Sequence, residues 1–312
     1  MPGLSIVLVN YKRGEDTIQC IESLWQSSYT DFDVIVVDNA SEDGSAERIQ
    51  ERCQSVTVIR ANANVGFAEG NNIGICEALR RASARILLLN NDTVIDKHAL
   101  AEMVGSFSHD STVGIVGAKI YYFDRPDILW FAGGYLNPHA ARYGHYGIGE
   151  TDTGQYDDNE STDYVTGCCL MFRKEVVEKI GLLESAYFAY LEDADFCLRA
   201  RTAGFKLLYQ PRALIYHKVS STSAWDSPVY LYFNLRNKLL FLRRHSSMSR
   251  WWPYLPGLVY YYARQFIRLS LKWRDAQKVR AAWFGMVDGL RGFTGENGEG
   301  RMSLVASRQK VQ

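Results

Sequence analysis

The chain of 312 residues is long enough to bury one large α/β core with an appendage, and its composition excludes general disorder. Its formal net charge is zero, but residues 1–227 hold 20 basic and 31 acidic side chains, whereas residues 228–312 hold 15 and 4. The two parts are therefore expected to meet different partners, and an anionic membrane surface is one candidate for the basic tail. No recognised nucleic-acid-binding motif accompanies this charge, which argues against a nucleic-acid partner.

Six cysteines show no C-x-x-C pair and no zinc-ligand spacing, so we interpret them as buried, reduced thiols. The amino terminus enters a strand-like run at Leu4 without a basic region or a small-residue cleavage site, which predicts that no signal peptide is present. We therefore expect a cytoplasmic protein, at the inner face of the plasma membrane if its tail binds lipid.

Strand and helix patterns alternate over the first 90 residues. Apolar, β-branched runs predict strands at Leu4 to Asn10, Val34 to Val37, Val56 to Arg60 and Arg85 to Leu89. Helical spacing predicts helices between them, at Glu15 to Gln26, Ser45 to Cys53 and Glu69 to Ala82. This alternation predicts an α/β fold with a doubly wound, mostly parallel sheet flanked by helices. In such sheets, ligands bind beyond the carboxyl ends of the strands.

Residues 137–163 show no clear period, which predicts a long loop over the site. The block that follows is predicted to hold an apolar patch at Val165 to Phe172, helices at Lys174 to Ile180 and Asp193 to Ala203, and a strand at Lys206 to Tyr209. We expect a catalytic domain over residues 1–227 and a basic, aromatic helical extension over residues 228–312.

Polar residues follow each of the first four predicted strands. After the second strand, the carboxylate of Asp38 can accept hydrogen bonds from a base imide or a ribose hydroxyl, although Ser41 or Asp43 could simply cap a turn there. After the third strand, residues 64–72 combine glycines and amides near a helix start, which suits a phosphate or a ribose. The alternative is that these glycines only shape the turn.

The segment Asn90-Asn91-Asp92 follows the fourth strand and offers hard oxygen ligands of the kind that magnesium or manganese prefers. One carboxylate would hold the ion weakly unless a diphosphate shared the coordination. His217, at the end of an apolar run, is a candidate third ligand. The alternatives are a capped turn at Asp92 and a packed histidine at His217.

Three carboxylates, Glu192, Asp193 and Asp195, open a predicted helix after an aromatic run. Their presence at a helix start is explained equally by the helix dipole and by a pair with Arg199. If one of them faces the cleft, its aromatic and acidic neighbours raise its pKa, and it can accept a proton from an attacking hydroxyl. We favour Asp193 for this role.

The tail carries apolar residues edged with cations from Pro228 to Arg244, followed by an uncharged aromatic stretch from Trp251 to Ala263. That stretch is shorter than the roughly 20 residues of a spanning helix, so we expect it to lie on a membrane rather than cross it. The alternative is a helical subdomain that packs on the core or in a homodimer.

Seven ordered blocks of this sequence resemble the family 2 glycosyltransferases of GT-A fold, and more closely their rhamnosyltransferase-like branch. The resemblance runs from Ser5 to about His245. The blocks read SIVLVNYKR, VIVVDNASEDGS, NVGFAEGNNIGI, LLLNNDTV, VTGCCLMFRKEVVEKIGLL, YLEDADFCLRARTAGF and IYHKVSST.

The resemblance implies that Asp92 binds a metal ion, Mg²⁺ or Mn²⁺, on the diphosphate of a nucleotide-sugar donor, and that Asp193 is the base. Asn90 stands at the first position of the family's Asp-x-Asp metal motif, and this NND variant occurs in the resembling branch. The implied contacts are Asn10 and Asp38 with the nucleoside, and Asn64, Gly66 and Asn72 with the nucleotide. Three more residues are implied substrate contacts: Asn91, Gly167 and Glu192.

The resulting hypothesis is an inverting glycosyltransferase that moves a sugar, with rhamnose as the first candidate, to a glycan or lipid-linked glycan in cell-surface polysaccharide synthesis. The alternative from another class is a non-catalytic nucleotide-sugar-binding or scaffold protein of such a pathway. An oxidoreductase is disfavoured because the turn from Asn10 to Gly14 lacks the Gly-x-Gly-x-x-Gly fingerprint.

Overall fold

The computed structural model describes residues 3–108, 110–158, 161–219, 227–247, 252–269 and 275–295. The first of its two compact units comprises the described residues of Met1–Leu136, Tyr143–Glu184 and Asp193–Val219. The second comprises those of Asn137–Arg142, Ser185–Glu192 and Ser220–Gln312. Trp251, at the start of the predicted aromatic stretch, and residues 220–222, at the end of the last resembling block, lie outside the described residues.

Most of the regular structure of the chain lies in the first unit. Its strands are β1 Leu4–Asn10, β2 Phe32–Asp38, β3 Thr57–Arg60, β4 Arg85–Leu89, β5 Thr93–Ile95, β6 Val113–Tyr122, β7 Arg125–Phe131, β8 Gly134–Asn137, β9 Arg142–His145, β10 Cys169–Arg173 and β11 Lys206–His217. The helices are α1 Gly14–Trp25, α2 Ser45–Arg52, α3 Gly66–Arg80, α4 Ala99–Gly105, α5 Lys174–Ile180 and α6 Glu192–Thr202. The α/β fold class is confirmed.

The main sheet has the order β3-β2-β1-β4-β10-β6-β11-β5, with β7 paired to β6. Strands β3, β2, β1 and β4 run parallel, so their carboxyl ends share one edge. β10 runs antiparallel between β4 and β6, which makes the sheet mixed. The core strands are almost fully buried because their apolar residues are covered on both faces, as parallel strands require.

Two glycines let helix α3 lie close to strand β1. A Cβ atom at Gly74 would come within 2.2 Å of Cγ1 of Val7, and one at Gly70 within 3.1 Å of Cγ1 of Val9. These two glycines therefore serve helix–strand packing. In contrast, Gly66 begins α3 with φ of 82°, a conformation that favours glycine.

Several elements differ from the predictions. Strands β5, β6 and β7 lie outside the predicted elements, and β11 continues eight residues past the predicted end at Tyr209. Residues 137–163 are not wholly loop, because β9 falls within them and pairs with β8. Cys76 is exposed, which corrects the interpretation of all six cysteines as buried; all six are free thiols.

Among its described residues, the second unit contains three α-helices, α7 Pro228–His245, α8 Leu255–Ile267 and α9 Ala276–Arg291. One apolar cluster joins Leu231 and Leu235 of α7 to Tyr262 of α8 and Ala282 of α9. The hydroxyl of Tyr262 donates a 2.7 Å hydrogen bond to the carbonyl of Leu235. Among the described helices, none has the length and apolar character needed to cross a membrane.

Candidate active site

The carboxylate of Asp193 is buried in the first unit near the start of α6, with 8% of the residue exposed. Its Oδ2 accepts hydrogen bonds from the hydroxyl of Tyr164 at 2.7 Å and from the backbone N–H of Gly167 at 2.8 Å. Its Oδ1 accepts one from the N–H of Ala194 at 2.7 Å. Burial raises the pKa of Asp193 above its usual value, and these neutral donors oppose that rise. Such a carboxylate is suited to accept a proton.

Two consecutive residues connect Asp193 to the turn that carries Asp92. The N–H of Gly167 bonds Asp193, and the carbonyl of the next residue, Cys168, accepts a 2.8 Å hydrogen bond from the N–H of Asn90. Burial raises the pKa of the Cys168 thiol well above its usual value, and the charges of Asp92 and Asp193 add to this rise. Both carboxylates therefore lie near one short stretch of chain, Gly167 and Cys168.

Gly167 also brings the start of α3 to this position. A Cβ atom there would lie 3.3 Å from Cε1 of Phe67 and 3.4 Å from Oδ2 of Asp193. An added Cβ would press on the Phe67 ring and would touch the carboxylate at an ordinary van der Waals distance. The structure thus places Gly167 against the candidate base rather than in open space.

Asp92 and His217 form a buried pair at the ends of two strands. The antiparallel pairing of β11 with β5 sets His217 opposite Thr93, and Nε2 of His217 lies 3.1 Å from Oδ1 of Asp92. Although that distance suits an ion pair, neither ring nitrogen of His217 makes a hydrogen bond with any residue that the structure describes. Buried polar atoms without partners are costly, and a cation between ring and carboxylate would satisfy them.

The residues present thus fit a divalent cation, although the protein does not supply a complete set of ligands. Within the described ranges, no group of three or more His, Cys, Asp or Glu side chains could hold a metal ion. Further oxygen ligands would have to come from a bound diphosphate and water.

An aromatic cluster surrounds His217 and Tyr164. The ring of Trp130 contacts both His217 and His145 edge-on, at centroid distances of 4.7 and 4.6 Å. His145 in turn stacks on Tyr164 at 6.0 Å. Burial lowers the pKa of His145 to about 4, so its ring is neutral at physiological pH. The cluster connects the surroundings of the metal candidates with those of Asp193.

A chain of hydrogen bonds joins the ends of β1, β2 and β4. Nδ2 of Asn10 donates to Oδ1 of Asp38 at 2.7 Å, and the hydroxyl of Thr17 donates to Oδ1 of Asn10 at 3.0 Å. Nδ2 of Asn91 donates to the same Thr17 hydroxyl at 2.8 Å. Ser41 completes the group by donating to Asp38 from both its N–H and its hydroxyl.

This geometry separates the roles of Asn10 and Asp38. Asn10 is fully buried, and its amide bonds Asp38, Ser41 and Thr17, so it orients Asp38; its own contact with the nucleoside stays a prediction. Asp38 accepts two of its three bonds on Oδ1 and one on Oδ2, which leaves Oδ2 able to accept another. Turn capping and ligand binding are therefore compatible at Asp38.

Asn39 fixes the loop that precedes α3. Its Nδ2 donates to Oδ1 of Asn64 at 2.8 Å and to the carbonyl of Gly66 at 3.2 Å, and its Oδ1 accepts from the N–H of Val65 at 2.9 Å. Asn64 also accepts from the N–H of Gly66. The predicted nucleotide contacts Asn64 and Gly66 thus belong to one ordered loop beside Asp38.

Asn72 does not join this group. Its amide donates to the carbonyl of Leu183 at 2.9 Å and to Glu69 at 3.0 Å, and it accepts from the N–H of Leu183 at 3.0 Å. Three of its four hydrogen-bonding positions are thereby used, two on Leu183 and one on Glu69 within α3. Asn72 therefore ties α3 to residue 183, and its role as a nucleotide contact stays a prediction.

The acidic cluster at the start of α6 contains residues with different surroundings. Asp195 is fully buried and accepts a 2.7 Å bond from Nε of Arg199, whose other nitrogens donate to the carbonyls of Ile180 and Leu182. Asp195 and Arg199 therefore form a structural ion pair, which is one of the two explanations that the sequence analysis gave for this acidic cluster. Glu192 is buried, at 4% exposure, and belongs to the second unit.

Tyr164, Thr17 and Asn39 are site residues that the sequence analysis missed. Thr17 lies inside helix α1, where a threonine gives no local signal of a function. Tyr164 falls at the edge of the apolar patch predicted from Val165. Asn39 lies directly after Asp38, in the polar segment VDNAS, and only that position could have drawn attention to it.

The fold is the GT-A fold, which solved glycosyltransferases share. A mannosyltransferase from Pyrobaculum calidifontis, solved with GDP-Man and Mn²⁺, superposes with a TM-score of 0.57 at 14% identity, covering 100% of this chain and 81% of that one. Residues 1–349 of TarS from S. aureus, solved with UDP-GlcNAc, superpose with a TM-score of 0.57 at 15% identity, covering 93% and 81%.

The chain belongs to glycosyltransferase family 2, because residues 2–237 match the model described as "Glycosyltransferase like family 2". A low-salt glycan biosynthesis hexosyltransferase, Agl10, of Haloferax volcanii is 29% identical, covering 79% of this chain and 77% of the relative. An N-acetylglucosaminyl-diphospho-decaprenol L-rhamnosyltransferase of Mycobacterium tuberculosis is 23% identical, covering 80% and 86%. A dTDP-rhamnosyl transferase, RfbF, of Shigella flexneri is 22% identical, covering 84% and 87%.

Within the family the chain is similar to its rhamnosyltransferase-like branch. It is a glycosyltransferase of glycan or polysaccharide synthesis.

Proposed function

We propose that this chain is an inverting, metal-dependent glycosyltransferase in which Asp193 is the catalytic base. The observation that carries this proposal is the buried carboxylate of Asp193, held by neutral donors and joined through Gly167 and Cys168 to the turn of Asp92. A base with a raised pKa accepts a proton from a hydroxyl more readily than an ordinary aspartate does.

The proposed reaction is a single displacement. The acceptor oxygen forms a bond to the anomeric carbon while the bond from that carbon to the diphosphate oxygen breaks. The hydroxyl proton passes to Asp193, and the nucleoside diphosphate leaves. Because no protein nucleophile takes part, the anomeric configuration inverts, which NMR of the first-formed product would test.

Other residues bind and orient the donor. Oδ2 of Asp38 accepts a hydrogen bond from the nucleoside, and the ordered loop of Asn64 and Gly66, which Asn39 holds, lies beside it. Asp92 and His217 hold Mg²⁺ or Mn²⁺, which would neutralise charge on the departing diphosphate.

Binding measurements test the donor and metal assignments without knowledge of the acceptor. Nucleoside diphosphates and nucleotide sugars are screened with and without Mn²⁺. Those that bind should raise the melting temperature of the protein, because they bind only the folded state. Asp92→Asn and His217→Ala should each lose the Mn²⁺-dependent increment. Glu47→Gln, which removes a surface carboxylate paired with Arg60, is the matched control and should keep it. An undiminished increment in both site variants would contradict the metal assignment.

The similarity to two rhamnosyltransferases supports a deoxythymidine-diphosphate rhamnose donor, and one of these relatives is named for a lipid-diphosphate-linked sugar. A lipid-linked acceptor would bring the protein to a membrane surface. Exposed apolar residues of the second unit support such docking: Trp252, Leu255, Val259, Tyr260, Ile267, Trp283 and Leu290.

Vesicle sedimentation tests this docking. Full-length protein should sediment with phosphatidylglycerol vesicles, and Tyr260→Ser should weaken the binding because Tyr260 is 68% exposed on α8. Trp25→Ser, at an exposed tryptophan of the first unit, should leave it unchanged. Equal binding by all three proteins would place the membrane contact elsewhere.

A further inference from the structure

The segment from Ser185 to Leu191 leads directly into the acidic residues Glu192 and Asp193, and its backbone is strained. It begins with a turn of 3₁₀ helix at Ser185–Tyr187. Phe188, Tyr190 and Leu191 then adopt φ angles of 63°, 69° and 73°. Residues with a Cβ atom avoid this left-handed region, and they persist there only when surrounding contacts hold them.

Two consecutive buried residues of α7 supply those contacts. Nδ2 of Asn237 lies 3.0, 2.8 and 2.7 Å from the carbonyl oxygens of Tyr187, Ala189 and Tyr190. Nη2 of Arg236 donates to the carbonyls of Ala186 and Tyr187 at 3.2 and 2.8 Å. Both side chains have no exposed surface, so water cannot replace these bonds.

The two residues also support each other. Nε of Arg236 donates a 2.9 Å hydrogen bond to Oδ1 of Asn237, which fixes the amide with its N–H groups toward the segment. The guanidinium lies 4.7 Å from the ring centroid of Phe233, a cation–π distance. Burial lowers the pKa of Arg236, and the carbonyl dipoles of the segment offset part of the cost of burying its charge.

Ring contacts from the same helix hold the side chains of the segment. Phe188 stacks on Phe233 with centroids 5.0 Å apart and planes 13° apart. Tyr190 meets Tyr230 edge-on at 5.1 Å. Helix α7 therefore determines both the backbone and the side-chain arrangement of residues 186–190.

We propose that Asn237 and Arg236 are positioning residues for the catalytic base. They hold the strained segment in the one conformation that directs the chain into Asp193, so helix α7 acts on the geometry of proton transfer through residues 186–191. This inference rests on the proposed role of Asp193. A displacement of about 1 Å at a reacting group lowers the rate by about 100-fold.

The test compares Asn237→Ala with Tyr262→Phe. The first removes the amide from the segment. The second removes a buried hydrogen bond from Tyr262 of α8 to the carbonyl of Leu235 in α7, which is not one of the hydrogen bonds that hold residues 186–190. Steady-state turnover of the nucleotide sugar is measured well below the melting temperature of each variant. We expect Asn237→Ala to lower kcat by about 100-fold with donor KM almost unchanged. Tyr262→Phe should keep kcat.

A double-mutant cycle separates positioning of the base from a general structural effect. If Asn237 acts through Asp193, the variant Asp193→Asn should lose nothing further when Asn237→Ala is added. Losses that multiply would show that Asn237 acts on something else, and a folded Asn237→Ala enzyme with wild-type kcat would overturn the proposal. If Asn237→Ala does not fold, the same test is made with Asn237→Ser. This variant keeps one O–H donor, so a smaller loss of kcat is expected.

The outcomes also distinguish this inference from the proposed function. Wild-type turnover in Asp193→Asn would remove the base assignment itself, whatever Asn237→Ala does. Collapse in Asp193→Asn together with wild-type kcat in Asn237→Ala would remove only the positioning inference.

Discussion

The hydroxyl of Tyr164 donates a 2.7 Å hydrogen bond to Oδ2 of Asp193, and both side chains are buried in the first unit. A donor to a carboxylate stabilises its charged form, so this bond opposes the effect of burial on the pKa of Asp193, the proposed base. Tyr164 itself stays protonated, because burial and then the charge of Asp193 raise its pKa well above the usual value. The base is thus partly controlled by a neighbour from outside helix α6.

Tyr164→Phe should shift the acidic limb of the pH–rate profile to higher pH. Without the donor, the pKa of Asp193 rises further, and the base must lose its proton before it acts. We expect turnover on the acidic side to fall by roughly tenfold, since a hydrogen bond to a charged group is worth about 1.5–3 kcal/mol. Tyr209→Phe is the matched control, because the buried Tyr209 hydroxyl makes no hydrogen bond with the described residues. Superimposable profiles for the two variants would contradict this role of Tyr164.

Thr17→Val should weaken donor binding while sparing the chemical step. The substitution removes the hydroxyl that donates to Asn10 and accepts from Asn91, so the buried amide of Asn10 and the half-buried amide of Asn91 lose a partner, and Asp38 loses its indirect support. An unsatisfied buried group costs about 1–3 kcal/mol, and part of that loss should appear as an increase in donor KM of about tenfold. Thr17→Ser keeps the hydroxyl and should bind the donor as the wild type does. A lower kcat with unchanged KM would show that the network serves the chemistry instead.

Stability should fall as the pH drops from about 6.5 to 4, in part because of His145. Its Nδ1 lies 3.1 Å from the carbonyl of Trp130, which can only accept, so this nitrogen carries the proton of the neutral ring. Burial lowers its pKa to about 4, whereas an unfolded histidine titrates near 6.5. Between these values the unfolded chain binds more protons than the folded protein, which favours unfolding by up to roughly 3 kcal/mol at the acidic end.

His145→Gln should therefore show a shallower loss of stability over this pH range, measured by urea unfolding at several pH values. Asp193, whose pKa is raised by burial, acts in the opposite direction, but it is present in both proteins and cancels in the comparison. Parallel stability curves for the wild type and the variant would mean that His145 does not stay neutral in the folded protein.

The sequence was sufficient to predict those strands and helices whose apolar residues follow a clear pattern. β1 and β4 have the predicted bounds because their apolar runs end at polar residues, Asn10 and Asn90. The direction of β10 was not predictable, because an apolar run such as CLMFR suits a buried strand of either orientation. β6 was missed although its run GIVGAKIYY is apolar enough to suggest a strand.

The candidate site was predictable only where a residue type suggests its own chemistry. Carboxylates at strand ends and a helix start drew attention to Asp38, Asp92 and Asp193. The supporting hydroxyls of Thr17 and Tyr164 could not be found in this way, because their roles depend on partners far away in the chain. The same holds for Asn72: an amide beside a glycine-rich turn suits a ligand, but its bond to the distant backbone of Leu183 could not be predicted from the sequence.

The most direct test of the central claim is donor turnover by Asp193→Asn, with nucleotide binding measured on the same protein. The amide keeps the size of the side chain but accepts no proton. We predict that release of nucleoside diphosphate falls by at least about 100-fold, while the melting-temperature shift with nucleotide and Mn²⁺ stays at the wild-type value. Turnover equal to that of the wild type would contradict the account.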